Sequence, residues 1–280
     1  ETMDYEVISA DCHIDLIWLP EDLFTSEASR DLAGRMPYVE DSEKGPLWVS
    51  KKGAVFGLQN GMGSAGREYI PGQIHRSDAM AATGLYEDGK KGIRRLTVPE
   101  LRIQDQDRDG VQAEVLYGIL GAAQRLKDDQ AATELMRIYN EWLGDFCASY
   151  PERFAGLACI PNHDIDAAVE EIHRVAKRGQ VRGVEISNTL DMKPVFDPSW
   201  TKLWQALDEV KLPVHFHTIG GRPPNFEAMQ PLQRRQSFAV FITGFQLQMS
   251  RIVMELIYGG VLEAYSNVNV VIGESGIGWI

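Results

Sequence analysis

Short apolar runs alternate with longer segments of helical period along most of this chain. Residues 5–14 read as a first strand. The pattern then breaks and resumes at residue 99, where 99–109 has helical spacing and is closed by Gly110. Residues 113–120 read as a strand. Residues 128–150 read as a long amphipathic helix, with Leu135, Ile138, Trp142, Leu143 and Phe146 at helical spacing. A nearly all-apolar strand follows at 154–160. A helix at 165–178 is begun by Asp164 and stopped by Gly179. The series ends with a strand at 181–187, a helix at 200–210 with Pro198 near its start, a strand at 212–218, a helix at 238–258 ended by Gly259 and Gly260, and a strand at 268–275.

Apolar strands alternating with helices predict a parallel sheet with helices outside it. The closure is either an open doubly wound sheet or an α/β (β/α)8 TIM barrel. Asp11 and His13, Asn162 and His163, Ser187, His215 and His217, and Glu274 all fall at the C-terminal ends of predicted strands. A barrel gathers its active site there, so the barrel is the expectation. About six βα units are visible. Six-eighths of a barrel would leave bare edges, and the chain stops just past its sixth strand, at 276–280. The expectation is one barrel domain over 1–280, a piece of a longer polypeptide that lacks the last two strands.

Residues 16–100 differ in character. They are rich in Gly, Pro and charge, with isolated aromatics and one short helix candidate near 25–36. A segment this long with little regular structure reads as a lid insertion. Within it, Gly61, Gly63 and Gly66 spell G-x-G-x-x-G. A dinucleotide site needs a helix directly afterwards, and Pro71-Gly72 forbids one of useful length, so this is read as a loop. Arg67 and His75 belong to the same stretch.

Composition narrows the function classes. The 280 residues are 44% apolar, enough for a sizeable core. Lys and Arg number 28 against 40 Asp and Glu, a net charge of −12. No basic patch suggests a nucleic-acid partner. No apolar stretch is long enough to span a bilayer, and the polar, acidic first residues are unlike a signal peptide. Cys12, Cys147 and Cys159 form no C-x-x-C pair, which argues against a disulfide framework or a thiolate zinc knuckle. A cytoplasmic protein that binds a small molecule is expected.

The candidate chemistry lies at two strand ends. Residues two apart on a strand share a face, which pairs Asp11 with His13 and His215 with His217. Imidazole with carboxylate suits Zn²⁺, Mn²⁺ or Fe²⁺. The two strand ends are expected to meet at one metal; the plainer alternative is a set of buried core histidines. Glu274, inside Val-Ile-Gly-Glu-Ser-Gly, is expected to be partly buried. It either closes the loop through a hydrogen bond or serves as a general acid or base. Ser275 lacks the Gly two residues later that a nucleophile elbow requires, so no serine triad is read here. His163 is a turn residue before a capped helix or a substrate-facing group.

Several stretches together resemble the amidohydrolase-related family. They are Ile8-Ser-Ala-Asp-Cys-His13, Pro20-Glu-Asp-Leu-Phe24, Asp107-Arg-Asp-Gly-Val-Gln-Ala-Glu-Val-Leu-Tyr117, Pro151-Glu-Arg-Phe-Ala-Gly-Leu-Ala158, Leu212-Pro-Val-His-Phe-His217 and Val271-Ile-Gly-Glu-Ser-Gly-Ile-Gly-Trp279. The branch is that of aminocarboxymuconate-semialdehyde decarboxylase and the dihydroxybenzoate decarboxylases. The resemblance implies a (β/α)8 barrel around one divalent metal, often Zn²⁺ or Mn²⁺, and suggests a homodimer. Asp11 and His13 match the first ligand pair, with Asp15 as the alternative acid for His13. His217 matches the ligand that ends strand five. An Asp at the end of strand eight has no counterpart up to residue 280. Glu274 stands where those decarboxylases usually carry a His that handles the proton.

The leading expectation is a metal-dependent hydrolase acting on a small carboxylated or aromatic molecule through a metal-activated water. Asp11, His13 and His217 bind the metal, Glu274 moves the proton, and His215 and His163 line the pocket. The second reading is a non-oxidative decarboxylase on the same metal site. The third is a non-catalytic barrel that binds a ligand.

Overall fold

The structure is a computed structural model that describes residues 5–43, 45–60, 88, 91–189, 192–217 and 229–275. The G-x-G-x-x-G stretch, Arg67 and His75 lie outside the described residues. The chain divides into two compact units, Glu1–Gly156 and Leu157–Ile280.

In the first unit, β1 (Ile8–His13) leads into a 3-10 turn and then α1 (Leu23–Glu27). Next comes an antiparallel meander of β2 (Tyr38–Ser42), β3 (Gly45–Val49) and β4 (Val55–Leu58). The expectation of little regular structure at 16–100 is corrected by this small sheet and by the shortness of α1. Its strands are brief and mixed in polarity, so no clear two-residue alternation marks them. The parallel pattern then begins with α2 (Pro99–Asp109), β5 (Ala113–Tyr117), α3 (Leu120–Arg125) and α4 (Asp129–Ala148). β1 pairs with β5, and β5 with the first residues of β6 (Phe154–Ile160), all parallel.

Local chemistry explains the boundaries. Gly110 ends α2 in the left-handed region at φ +70°, a conformation that carries no steric penalty for glycine. Asp128 caps α4, accepting from Ala131 N–H at 3.2 Å. It also pairs with Arg35 and, at 2.9 Å, with Lys52, which ties the segment before the parallel sheet to α4. A buried pair stands behind β1. Arg102 on α2 is 2.6 Å from Glu114 on β5, and its Nη1 donates to the His13 carbonyl at 3.3 Å. The acidic run at 105–109 is partly internal: Gln106 is buried and Asp105 accepts from Arg95.

In the second unit, the last residues of β6 pair with β7 (Gly183–Ile186) after α5 (Ile165–Arg178). Then follow α6 (Thr201–Val210), β8 (Val214–Phe216), α7 (Pro231–Tyr258), α8 (Val261–Ala264) and β9 (Val270–Ile272). β7 pairs with β8 and β8 with β9, again all parallel. β6 is apolar because strands covered on both faces need no polar side. Asp164 caps α5, accepting from Asp166 and Ala167 N–H at 3.1 Å, and Gly179 closes it at φ +67°. Helix α7 starts seven residues before the expected 238, because its first two turns are polar and read as loop. Pro231 at its first position is the signal for the true start.

Candidate active site

β1 sets its donors through an irregular register. Ser9 lies opposite Glu114, but Cys12 lies opposite Leu116, so β1 spends three residues where β5 spends two. This is a β-bulge, which re-aims the side chains beyond it. Asp11 lies within it and His13 just past it, and Asp11 Oδ1 is 3.2 Å from His13 Nε2, with both side chains about a third open to solvent, at 38% and 34%. The His13 ring stacks on Tyr117 of β5 at 5.7 Å between centroids. Ile14 N–H donates to the Tyr117 carbonyl at 3.1 Å, so the strand end is held on two counts.

The Asp11–His13 separation suits a shared cation. Two donors each about 2.1 Å from one metal, at tetrahedral to right angles, stand about 3.0–3.5 Å apart. An oxygen and an imidazole nitrogen at 3.2 Å meet that condition. The register pairs His13 with Asp11 rather than with Asp15, which begins the 3-10 turn at 16–18.

β8 carries the other candidates. His215 and His217 are 7% and 2% exposed, and alternation puts them on the same side of the chain. Burial pushes the His215 pKa down to about 4, so its imidazole is neutral at physiological pH. His217 Nε2 lies 3.6 Å from Glu274 Oε2. Glu274 itself departs from expectation. Its side chain is 60% exposed, and its φ of +49° is unusual for a residue with a Cβ. The expected partial burial is corrected: the left-handed turn after β9 swings the carboxylate outward.

His163 lies exposed in the turn between β6 and α5. Its neighbour Asn162 is the residue that joins strand ends. The Asn162 amide donates to the Ser187 carbonyl at 3.0 Å and accepts from the Ser187 N–H at 3.2 Å. Sequence reasoning missed Glu185, which is 1% exposed and opposite His215 in the β7–β8 register. Its signal was a lone carboxylate between Val184 and Ile186 in an apolar strand. Such a group is nearly always paired when buried.

Known proteins share this architecture. The chain is 22% identical to 2-amino-3-carboxymuconate-6-semialdehyde decarboxylase of Dictyostelium discoideum, over 64% of this chain and 48% of that one. A crystal structure of an amidohydrolase from Mycobacterium avium subsp. paratuberculosis superposes with a TM-score of 0.69 at 18% identity, covering 99% of this chain and 74% of that one. That likeness shows the fold, the parallel α/β barrel class expected from the sequence. The 5-carboxyvanillate decarboxylase of Novosphingobium aromaticivorans, complexed with manganese and 4-hydroxy-3-methoxy-5-nitrobenzoic acid, is 26% identical, with a TM-score of 0.52, over 67% of this chain and 52% of that one. The chain spans about half the length of the curated relatives it matches. Residues 11–280 match the Amidohydrolase family, and the chain belongs to it.

Proposed function

We propose that this protein is a metal-dependent, non-oxidative decarboxylase of a small organic acid, with a carboxylated aromatic as the favoured substrate class. The expectation of hydrolysis gives way here. What supports the change is that curated relatives matching this chain in sequence are named as decarboxylases.

Asp11, His13 and His217 would hold one divalent ion, Mn²⁺ or Zn²⁺, through a carboxylate and two imidazoles. When bound, the ion supplies Lewis-acid polarisation of the substrate's carboxylate and a neighbouring oxygen. The protein's own groups do the rest. Tyr117 fixes the plane of the His13 ring. His215, neutral and nearly dry, lines the pocket without adding charge. In this reading His163 is a substrate-facing group. Glu274 carries the proton on a carboxylate oxygen. As the carbon–carboxylate bond breaks, its electron pair stays on the ring carbon, which takes the Glu274 proton while CO2 leaves.

The test is isotopic. Metal-loaded protein turning over a hydroxybenzoate in D2O is expected to release CO2 and place one deuterium on the carbon that bore it. No CO2 from the free acid, with ¹⁸O from labelled water entering the acid released from its ester or amide, would establish hydrolysis instead. Glu274→Gln is expected to lower the rate by about 10²–10⁴-fold, the usual contribution of a general acid. An unchanged rate would remove Glu274 from the mechanism.

A further inference from the structure

At the C-terminal end of β7 the second unit buries a hydroxyl that nothing around it uses. The strand ends at Ile186, and Ser187 follows, 8% exposed. One side chain takes both of its backbone groups. Asn162, past the end of β6, accepts from the Ser187 N–H at 3.2 Å and donates to the Ser187 carbonyl at 3.0 Å. The Asn162 amide thus continues the β6–β7 ladder beyond the strands and fixes the Ser187 backbone.

Other buried hydroxyls are satisfied. Thr97 donates to the Trp18 carbonyl at 2.6 Å, and Ser50 accepts from the Ala54 N–H at 3.2 Å. Among the described residues, no donor or acceptor meets the Ser187 hydroxyl. A buried hydroxyl without a partner costs free energy, and native chains keep few of them.

The next strand end shows what lies beside it. In the parallel register of β7 and β8, Glu185 is opposite His215 and Ile186 is opposite Phe216. Continued by one residue, that register sets Ser187 beside His217, and alternation turns both to the face shared by Glu185 and His215. Neighbouring strands run about 4.8 Å apart. On the other side of β8, where β9 pairs, Glu274 Oε2 lies 3.6 Å from His217 Nε2. Three successive strand ends therefore carry a hydroxyl, an imidazole and a carboxylate. A serine reaches one bond past its Cβ, less far than an imidazole does. Ser187 is placed to meet a molecule bound at the strand ends.

We propose that Ser187 is a substrate-binding residue whose hydroxyl donates to a carboxylate oxygen of the bound acid. This rests on the decarboxylase reading, in which a carboxylate is the reacting group. A hydroxyl suits the place because it donates without adding charge beside the imidazole. Its backbone is already held by Asn162, so little freedom is lost on binding.

The probe is benzoate, titrated calorimetrically into the manganese-loaded protein. Its only oxygens are those of its carboxylate, so it isolates this contact. Ser187→Ala is expected to bind benzoate at least about tenfold more weakly, the scale of one hydrogen bond to a charged group. Manganese content should not change. The melting temperature of the ligand-free variant should stay level or rise, because the lost hydroxyl had no partner there. A purely structural residue gives the opposite result, with benzoate affinity kept and the melting temperature lowered. That result, equal affinities at any melting temperature, or no benzoate binding by the native chain would each overturn the proposal. Should the Ala variant fail to fold, Ser187→Cys decides, since it keeps the shape but offers only a weak donor. A reduced affinity then supports the proposal, and an undiminished one overturns it. Failure of the decarboxylase reading looks different: benzoate binds and Ser187→Ala weakens it, but no acid releases CO2.

Discussion

At the end of β1, the candidate donors are a third open to solvent and are held by neighbours. Tyr117 stacks on the His13 ring, and Arg102 grips the His13 carbonyl from α2. At the end of β8, the imidazoles are almost closed off, with apolar Val214 and Phe216 alternating beside them. The first end is propped from outside by charge and aromatic contact. The second is fixed from within by the strand and its burial. The two should therefore fail differently: the first when a supporting group is removed, the second when its packing or protonation changes.

The largest effect should come from the prop. Arg102→Ala leaves Glu114 in a buried setting with its ion pair broken, and is expected to cost about 3–5 kcal/mol, measured by urea unfolding. Arg102→Met combined with Glu114→Leu should recover most of that, because neither charge then needs solvation. A single variant as stable as the native chain would mean that β1 does not depend on this pair.

Protonation comes next. The folded chain holds His215 neutral down to about pH 4, whereas an unfolded chain protonates it near its ordinary value. Between those values the unfolded state binds the extra proton, so stability falls as pH drops from about 6.5 to 4. The loss is expected to reach about 3 kcal/mol at most. Unfolding curves for the native chain and for His215→Gln should diverge in that window. Parallel curves would show that His215 is not closed off.

Packing gives a smaller effect. A Cβ on Gly183 would come within 2.9 Å of a Leu157 methyl and 3.0 Å of the Pro213 carbonyl, which is backbone and cannot step aside. Gly183→Ala should cost about 1–3 kcal/mol in thermal unfolding. The least is a cap. Asp164→Ala removes the acceptor for two N–H groups at the start of α5 and should cost about 1 kcal/mol. That cost should leave the β1 donors untouched, which a manganese titration would check.

The second unit was the more legible of the two in sequence. β6 and α5 match their expected bounds residue for residue, because one is an unbroken apolar run and the other carries a cap and a stop. The strand-end places of the candidate donors were also readable, since a carboxylate or imidazole at an apolar strand's end is conspicuous. What escaped was built on contacts distant in sequence. Helix α3 is short and contains Gly121, Ala122 and Ala123, so no periodic face announced it. Glu274 read as partly buried because apolar residues precede it, but a left-handed backbone at one residue decided otherwise. Glu185 has no reading of its own in the sequence, and its burial shows only in the folded strand, where it lies opposite His215 of β8.

The extra residue in β1 between Ser9 and Cys12 has a consequence for anyone editing this gene. A regular strand counts in twos, so trimming one residue anywhere along it turns all later side chains to the opposite face. The bulge has already made one such change of parity, and everything downstream is phased to it. Removing Ala10 would let Ser9, Asp11, Cys12 and His13 follow Glu114, Val115, Leu116 and Tyr117 one for one. Cys12 and His13 would keep their partners, and the change would fall on Asp11, which would pass from the bulge into a regular strand position. The spare residue works as a spacer, a length setting that the identities of the donors alone do not encode.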